Sequence, residues 1–154
     1  GFITTQSKEI AGLEETILAG ADGMMSPDFV AAAGEAGEGM YFSGPSLAFE
    51  GERYEAFLAS YKEISGQDAL SVFHAHAYDG AHMIFDAVEA VAQKDGDGNT
   101  IIGRQALRDA LYSTSGFDGI TGNLNCNENG DCADPQIAVN QIQGGEYRVV
   151  AEQR

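Results

Sequence analysis

The residues of this chain that could bind a small ligand begin with a lone carboxylate, Asp22, in a turn of small residues. Gly20, Ala21 and Gly23 flank it, so no bulky neighbour shields the carboxylate and the backbone of the turn can approach a ligand. An ionised carboxylate is a strong acceptor in charge-assisted hydrogen bonds. An aspartate that only caps its own turn is the alternative, because Asp is common in loops for that reason.

A second group of candidates surrounds Phe73. This ring could be an apolar wall of a small-ligand site or a core residue of a strand. Three histidines follow within nine residues, with an aspartate among them: His74, His76, Asp79 and His82. Imidazole and carboxylate together suit zinc, but a His-x-His pair shares one face only in a strand, and we predict that a helix begins at Tyr78. We therefore expect no metal and no cofactor, with His74 or His76 as the candidate pocket residue and purely structural roles as the alternative.

The two cysteines, Cys126 and Cys132, bracket a polar loop. A three-residue loop at 128–130, with a glycine in the left-handed position, would place Asn127 opposite Asp131 and the cysteines opposite each other. Cross-strand neighbours of this kind lie within disulfide reach. The spacing predicts a disulfide, and hence an oxidising compartment; two unpaired thiols at the base of a hairpin are the alternative.

Composition and charge remove several classes of function. The chain has 24 acidic and 8 basic residues, a formal net charge of -16, which repels nucleic acid and anionic membrane surfaces. No window approaches the apolar length of a membrane span, and the first residues lack the build of a signal peptide. Catalytic motifs for serine hydrolases, zinc proteases and phosphate-binding loops are absent from the sequence. We therefore expect a protein that is not an enzyme and binds no nucleic acid.

Hydrophobic periodicity predicts helices and strands that alternate early and strands that cluster late, which favours an α/β fold. Ser26 and Pro27 predict a helix start as N-cap and first helical residue. The expected helices are the end of one within 4–18, then 27–33, 53–62, 78–92 and 104–111; the expected strands are 39–43, 117–122, 137–142 and 147–150. The helix at 78–92 carries an apolar stripe of Ala77, Ala81, Ile84, Val88 and Val91.

Read in order, these pieces resemble the C-terminal half of type I periplasmic solute-binding proteins, the group that includes the branched-chain (Leu/Ile/Val) amino-acid receptors of ABC importers. The resemblance runs from the Gly20–Gly23 turn and the segment 33–41, through the Phe57-Leu-x-x-Tyr61 helix and the Tyr78-Asp79 helix start, to an Asn-Gly hairpin after Leu124. Each motif is weak alone, and the shared order and spacing carry the likeness.

The resemblance implies three-layer α/β/α lobes joined by hinge crossings. Residues 1–45 would belong to lobe two, 46–136 to lobe one, and 137–154 would return to lobe two. It implies that Asp22 accepts a hydrogen bond from a ligand ammonium group and that Phe73 packs on the ligand side chain. The family often has Glu at the position of Asp22, which leaves the ligand open.

The implied function is capture of an amino acid or amide between two hinged lobes, outside the cytoplasm, and its delivery to the membrane permease of an ABC transporter. An extracellular sensor domain of a receptor or regulator with the same fold is the alternative. We also expect the chain to lack an N-terminal half, supplied by the same protein or by a swapped copy.

Overall fold

The computed structural model of the chain describes residues 1–46, 48–69, 72–132 and 136–152. The chain forms two compact units: the first comprises Gly1–Glu50, Glu55–Phe73 and Pro135–Arg154, and the second Gly51–Tyr54 and His74–Asp134. Within the described residues the helices are α1 Phe2–Lys8, α2 Pro27–Ala33, α3 Glu52–Ser65, α4 His74–Val91 and α5 Arg104–Tyr112. The strands are β1 Ala19–Ala21, β2 Tyr41–Pro45, β3 Gln93–Lys94, β4 Thr100–Ile101, β5 Phe117–Gly119, β6 Gly122–Leu124, β7 Ile137–Gln143 and β8 Glu146–Glu152.

A four-stranded sheet in the order β1-β2-β7-β8 organises the first unit. Strand β1 is parallel to β2, and the other pairs are antiparallel. Phe42 lies opposite Asn140, and a register shift follows Val139. The core on this sheet gathers residues from α2, β2 and β7 and from the segments just before α2 and β2: Met25, Phe29, Ala33, Met40, Phe42 and Ile142. Burial of these apolar side chains is the main term that stabilises the unit.

Three aromatic rings form the centre of that core. Phe42 packs edge-on against Phe29, with ring centroids 5.4 Å apart, and against Tyr147 at 5.3 Å. This edge-to-face geometry is favourable beyond the area that the rings bury. The Tyr147 hydroxyl donates to the backbone oxygen of Ser26 at 3.2 Å, which ties the start of α2 to strand β8.

The predicted start of α2 is confirmed in detail. The Ser26 hydroxyl accepts a hydrogen bond from the backbone N–H of Phe29 at 3.1 Å, and Pro27 is the first helical residue. The turn between β7 and β8 falls at Gly144 and Gly145, both with positive φ. The backbone N–H groups of these glycines donate to the carboxylate of Glu38. A side chain from another segment therefore holds this turn in place.

Helix α1 ends earlier than its apolar spacing predicted. It stops at Lys8, and the chain then folds back through Gly12, whose φ is +93°. The Lys8 Nζ group donates to the backbone oxygens of Glu14 and Thr16. The apolar residues with helical spacing, Ile10, Leu13 and Ile17, are all exposed.

Helix α4 dominates the second unit and begins at His74, four residues before the predicted start. Its buried residues are Ala75, Asp79, Met83 and Ala87, a different face from the apolar stripe seen in the sequence. Ile84 on that stripe is 47% exposed, and the neighbouring Phe85 is 59% exposed. Helix α5 confirms the predicted element at 104–111. No helix within the described residues is long and apolar enough to cross a membrane.

Candidate functional site

Asp22 is the first residue of a 3₁₀ turn, Asp22–Met24, directly after β1. One oxygen of its carboxylate accepts the backbone N–H of Gly23 at 2.7 Å, and its backbone oxygen accepts the N–H of Met25 at 2.9 Å. The side chain is partly exposed. Asp22 therefore does bind a backbone N–H of its own turn, as the alternative role from the sequence requires. Its carboxylate can still accept a hydrogen bond from another donor.

Two glycines allow the Asp22 turn to lie directly on the sheet. A Cβ atom on Gly44 of β2 would lie 3.1 Å from both the Asp22 Cβ and the Met25 sulfur, and one on Gly20 would lie 3.0 Å from the Phe42 ring. A Cβ on Gly23 would meet nothing within 4 Å. Gly20 and Gly44 thus permit close packing beneath the turn, and the position of a Cβ on Gly23 is open.

Phe73 lies in a turn immediately before α4 rather than at the end of a strand, and its side chain is 42% exposed. His74, the first residue of α4, places its Nε2 atom 2.7 Å from the Tyr54 hydroxyl, and the two rings are 5.7 Å apart. Burial raises the pKa of Tyr54 above its usual value. The hydroxyl therefore stays protonated at neutral pH and can donate to the imidazole.

The other two histidines have separate surroundings. Partial removal of water around its ring lowers the pKa of His76; the negative charge of Asp79 acts in the opposite direction, and His74 lowers the pKa to a smaller extent. The His82 ring packs at a tilt of 51° against Tyr78, with ring centroids 4.3 Å apart, and edge-to-face against Phe85 at 5.9 Å. Among the residues that the structure describes, no group of three or more His, Cys, Asp or Glu side chains is arranged to hold a metal ion.

Asp79 is a buried acceptor whose role the sequence did not reveal. Its side chain is 1% exposed. Its carboxylate accepts the backbone N–H of Ile120 at 3.0 Å, the N–H of Thr121 at 2.8 Å and the Thr121 hydroxyl at 2.6 Å. Asp79 thereby joins α4 to the turn between β5 and β6, about forty residues later in the chain. No local pattern around Asp79 indicates this partner.

Cys126 and Cys132 form a disulfide, as the spacing predicted. Inside the loop, the backbone N–H of Asn127 donates to the Asp131 oxygen at 2.9 Å, and Gly130 has the expected positive φ of +80°. The cysteines do not lie on paired strands, however, because residues 125–132 form no strand. The Asn127 side chain instead holds the loop, because it accepts the N–H groups of Asn129 and Asp131.

The disulfide loop is attached to the end of α5. The backbone N–H of Cys126 donates to the Thr114 oxygen at 2.9 Å. The Tyr112 ring lies so close to Gly130 that a Cβ there would be 2.7 Å from it. The loop is therefore packed against the second unit rather than projecting from it without contacts.

Comparison with known proteins assigns the family. Residues 5–146 match the family model described as periplasmic binding protein. A leucine-, isoleucine-, valine-, threonine- and alanine-binding protein from Pseudomonas aeruginosa is 28% identical over 131 residues, which are 85% of this chain and 32% of that protein. The chain thus spans about a third of the length of this curated relative.

Solved structures of other proteins have a fold similar to that of this chain. A leucine-binding protein from Thermotoga maritima has a TM-score of 0.74 and 26% identity, over 97% of this chain and 40% of that one. A solute-binding protein from R. palustris, solved in complex with benzoate, has a TM-score of 0.65 and 20% identity, over 94% and 38% of the two chains. The α/β fold is of the type I periplasmic binding protein kind, as predicted, and the chain belongs to the periplasmic binding protein family.

Proposed function

We propose that the protein is the solute-binding component of an ABC importer and that it captures a small aliphatic amino acid. The observation that carries this proposal is the family match over residues 5–146. Two relatives named for leucine binding, one of them aligned over nearly the whole chain, support the ligand class. Because the chain spans only part of each relative, the activity of the whole protein belongs to the proposal.

Asp22 is the proposed acceptor for the ligand ammonium group. Its carboxylate is partly exposed, one oxygen is held by the Gly23 N–H, and the position of a Cβ on that glycine is open. A pre-oriented carboxylate loses little freedom when it binds a cation. A charge-assisted hydrogen bond of this kind contributes about 1.5–3 kcal/mol.

Phe73 and His74 are the proposed contacts for the rest of the ligand. Phe73 offers a half-exposed aromatic surface for an aliphatic side chain. The hydrogen bond between the Tyr54 hydroxyl and the His74 Nε2 atom holds the orientation of the His74 ring. Apolar surface with a few oriented polar groups is the usual composition of a small-ligand site.

We further propose that the protein acts outside the cytoplasm. The Cys126–Cys132 disulfide supports an extracytoplasmic location, because such bonds persist in oxidising compartments. We propose a membrane permease as the partner that receives the ligand, and we propose binding without catalysis. An extracellular sensor of the same ligand is the competing function, and a sensor would bind amino acids without supporting their uptake.

The test measures ligand affinity calorimetrically on the full-length gene product, with L-leucine, L-valine and benzoate as probes. We expect an amino acid to bind and the Asp22→Ala variant to bind it about 10- to 100-fold more weakly, the equivalent of the 1.5–3 kcal/mol above. Asp28→Asn, at an exposed aspartate in the first turn of α2, is the matched control and should bind normally. Binding of benzoate alone, unaffected by Asp22→Ala, would refute both the ligand class and the role of Asp22.

A further inference from the structure

The carboxylate of Asp79 is buried, and no Lys or Arg among the described residues forms an ion pair with it. Within the described part of the chain the ion pairs are Arg53–Asp118, Lys62–Asp68 and Arg148–Glu146, and none involves Asp79. Burying a carboxylate costs several kcal/mol unless hydrogen bonds replace its water. Three donors do so here, and all three belong to Ile120 and Thr121. The carboxylate is therefore matched specifically to this turn.

The turn itself is shaped to meet the carboxylate. A Cβ atom on Gly119 would lie 2.4 Å from one carboxylate oxygen of Asp79 and 2.8 Å from its Cγ. Any side chain at this position would push the turn and the carboxylate apart. Because Gly119 has no side chain, the backbone N–H groups of Ile120 and Thr121 can reach the Asp79 carboxylate.

Two further contacts lie beside this one. The Arg53 guanidinium donates to the Asp118 carboxylate at 2.8 Å and to the Asp118 backbone oxygen at 2.7 Å. Tyr54, the next residue of α3, forms the 2.7 Å hydrogen bond with His74. The start of α3, the start of α4 and the β5–β6 turn are therefore mutually connected, and we call this set (53–54, His74, Asp79 and 118–121) the junction.

We propose that Asp79 is a positioning residue for the ligand site: through the junction it sets the location of the first turn of α4, and with it His74. This inference rests on the proposed function, because it takes His74 as a ligand contact. Asp79 does not touch the ligand. It acts through the helix that carries His74.

The geometry of a helix explains how this works. Asp79 follows His74 by five residues, a distance of about 7.5 Å along the helix axis. A helix segment of that length moves as a rigid body, so an anchor at Asp79 determines both the rotation of the helix and the height of its first turn. Ligand contacts lose affinity when their supporting residues allow displacements of about 1 Å.

The test compares Asp79→Asn, Thr121→Val and Asp86→Asn. Asparagine has one acceptor oxygen in place of two and directs an NH₂ group at a backbone N–H of the turn. Thr121→Val removes only the hydroxyl donor and keeps both backbone bonds, so it remains informative if the first variant does not fold. Asp86 is an exposed aspartate two turns further along α4, which makes it the matched control.

Two measurements report on the position of His74. Both are made far below the melting temperature, so that the variants are folded. NMR of the His74 ring and hydrogen exchange of the Ile120 and Thr121 amides need no ligand. We expect Asp79→Asn to shift the His74 signals and to accelerate exchange at both amides at least tenfold, with a smaller change of the same sign for Thr121→Val and none for Asp86→Asn. Calorimetry with L-leucine should show an affinity about tenfold weaker for Asp79→Asn.

The outcomes separate this inference from the proposed function. Variants that melt at lower temperature but keep the His74 signals and the L-leucine affinity would overturn the positioning role and leave Asp79 as a purely structural residue. Shifted His74 signals with unchanged affinity would overturn the link to the ligand. Failure of the unaltered protein to bind any amino acid would refute the proposed function instead, whatever the NMR result.

Discussion

Replacing Gly119 by alanine should destabilise the second unit by about 2–4 kcal/mol. The new methyl group would lie 2.4 Å from an oxygen of Asp79, a separation that no folded protein tolerates, so the turn or the carboxylate must move. Excess volume in a packed site costs about 1–3 kcal/mol. Weakening hydrogen bonds to a charged group costs about 1.5–3 kcal/mol. If the turn moves away from the new methyl group, the steric cost falls but the hydrogen bonds to Asp79 lengthen and weaken. The total loss of stability therefore lies between the larger of these two costs and their sum.

Gly80→Ala is the matched control, since Gly80 is adjacent to Asp79 within α4 and a Cβ there would meet nothing within 4 Å. Alanine in a helix interior is more stable than glycine by about 0.5–1 kcal/mol. The two glycine-to-alanine changes should therefore have opposite signs. Urea unfolding followed by far-UV circular dichroism gives each free energy, and hydrogen exchange of the α4 amides assigns the change to this unit. Equal effects of the two substitutions, or a cost below about 0.5 kcal/mol for Gly119→Ala, would refute the reasoning.

Three further predictions concern the second unit. Replacing Cys126 and Cys132 by serine should cost about 2 kcal/mol, the loop entropy for so short a closed loop, and unchanged urea unfolding would contradict it. Gly130→Ala should cost more than Gly116→Ala by thermal unfolding, because both glycines have positive φ but only at Gly130 does an aromatic ring of α5 occupy the space of the new methyl group. His76 should titrate below its usual pKa of 6.5 in NMR. Its folded-state pKa is depressed, so its contribution to stability is complete above pH 6.5 and is lost as the pH falls through the folded value; a midpoint above 6.5 would contradict the burial argument.

The sequence predicted those elements that local chemistry builds. Ser26 and Pro27 start α2 because a hydroxyl acceptor and a preset φ act within one helical turn. The disulfide loop was predictable for the same reason, since the spacing of the two cysteines and the left-handed Gly130 are properties of a few consecutive residues. The family resemblance was also readable in the sequence, because it rests on the order of such local motifs.

The sequence did not predict features that depend on distant partners. The helix at α4 begins at His74 because Tyr54 and the β5–β6 turn support its first turns, and neither partner is near it in sequence. The sequence places Asp79 among the histidines, a pattern that suits a metal ligand, whereas in the structure its carboxylate accepts hydrogen bonds from Ile120 and Thr121. The apolar spacing of Ile10, Leu13 and Ile17 suggested a continuing helix, but Gly12 and the Lys8 contacts turn the chain back. The roles of Asp22, Phe73 and His74 stay predictions.

The strand order of the first unit has a consequence for synthesis on the ribosome. Strand β2 ends at Pro45, and its antiparallel partner β7 begins only at Ile137. At about 5–20 residues per second, roughly 5 to 20 seconds pass before that partner emerges. Throughout this interval one edge of β2 is unpaired and the Phe42 ring lacks its cover from Tyr147, a combination that invites aggregation.

Meanwhile the continuous stretch from His74 to Asp134, nearly all of the second unit, has emerged in full before β7 exists. Contacts made early are those of short sequence separation, such as the pairing of β3 with β4, and those of long separation must wait. The chain is thus committed to completing its second unit first and its first unit last. A chaperone that shields residues 41–45 until the C-terminal hairpin arrives would raise the yield of folded protein.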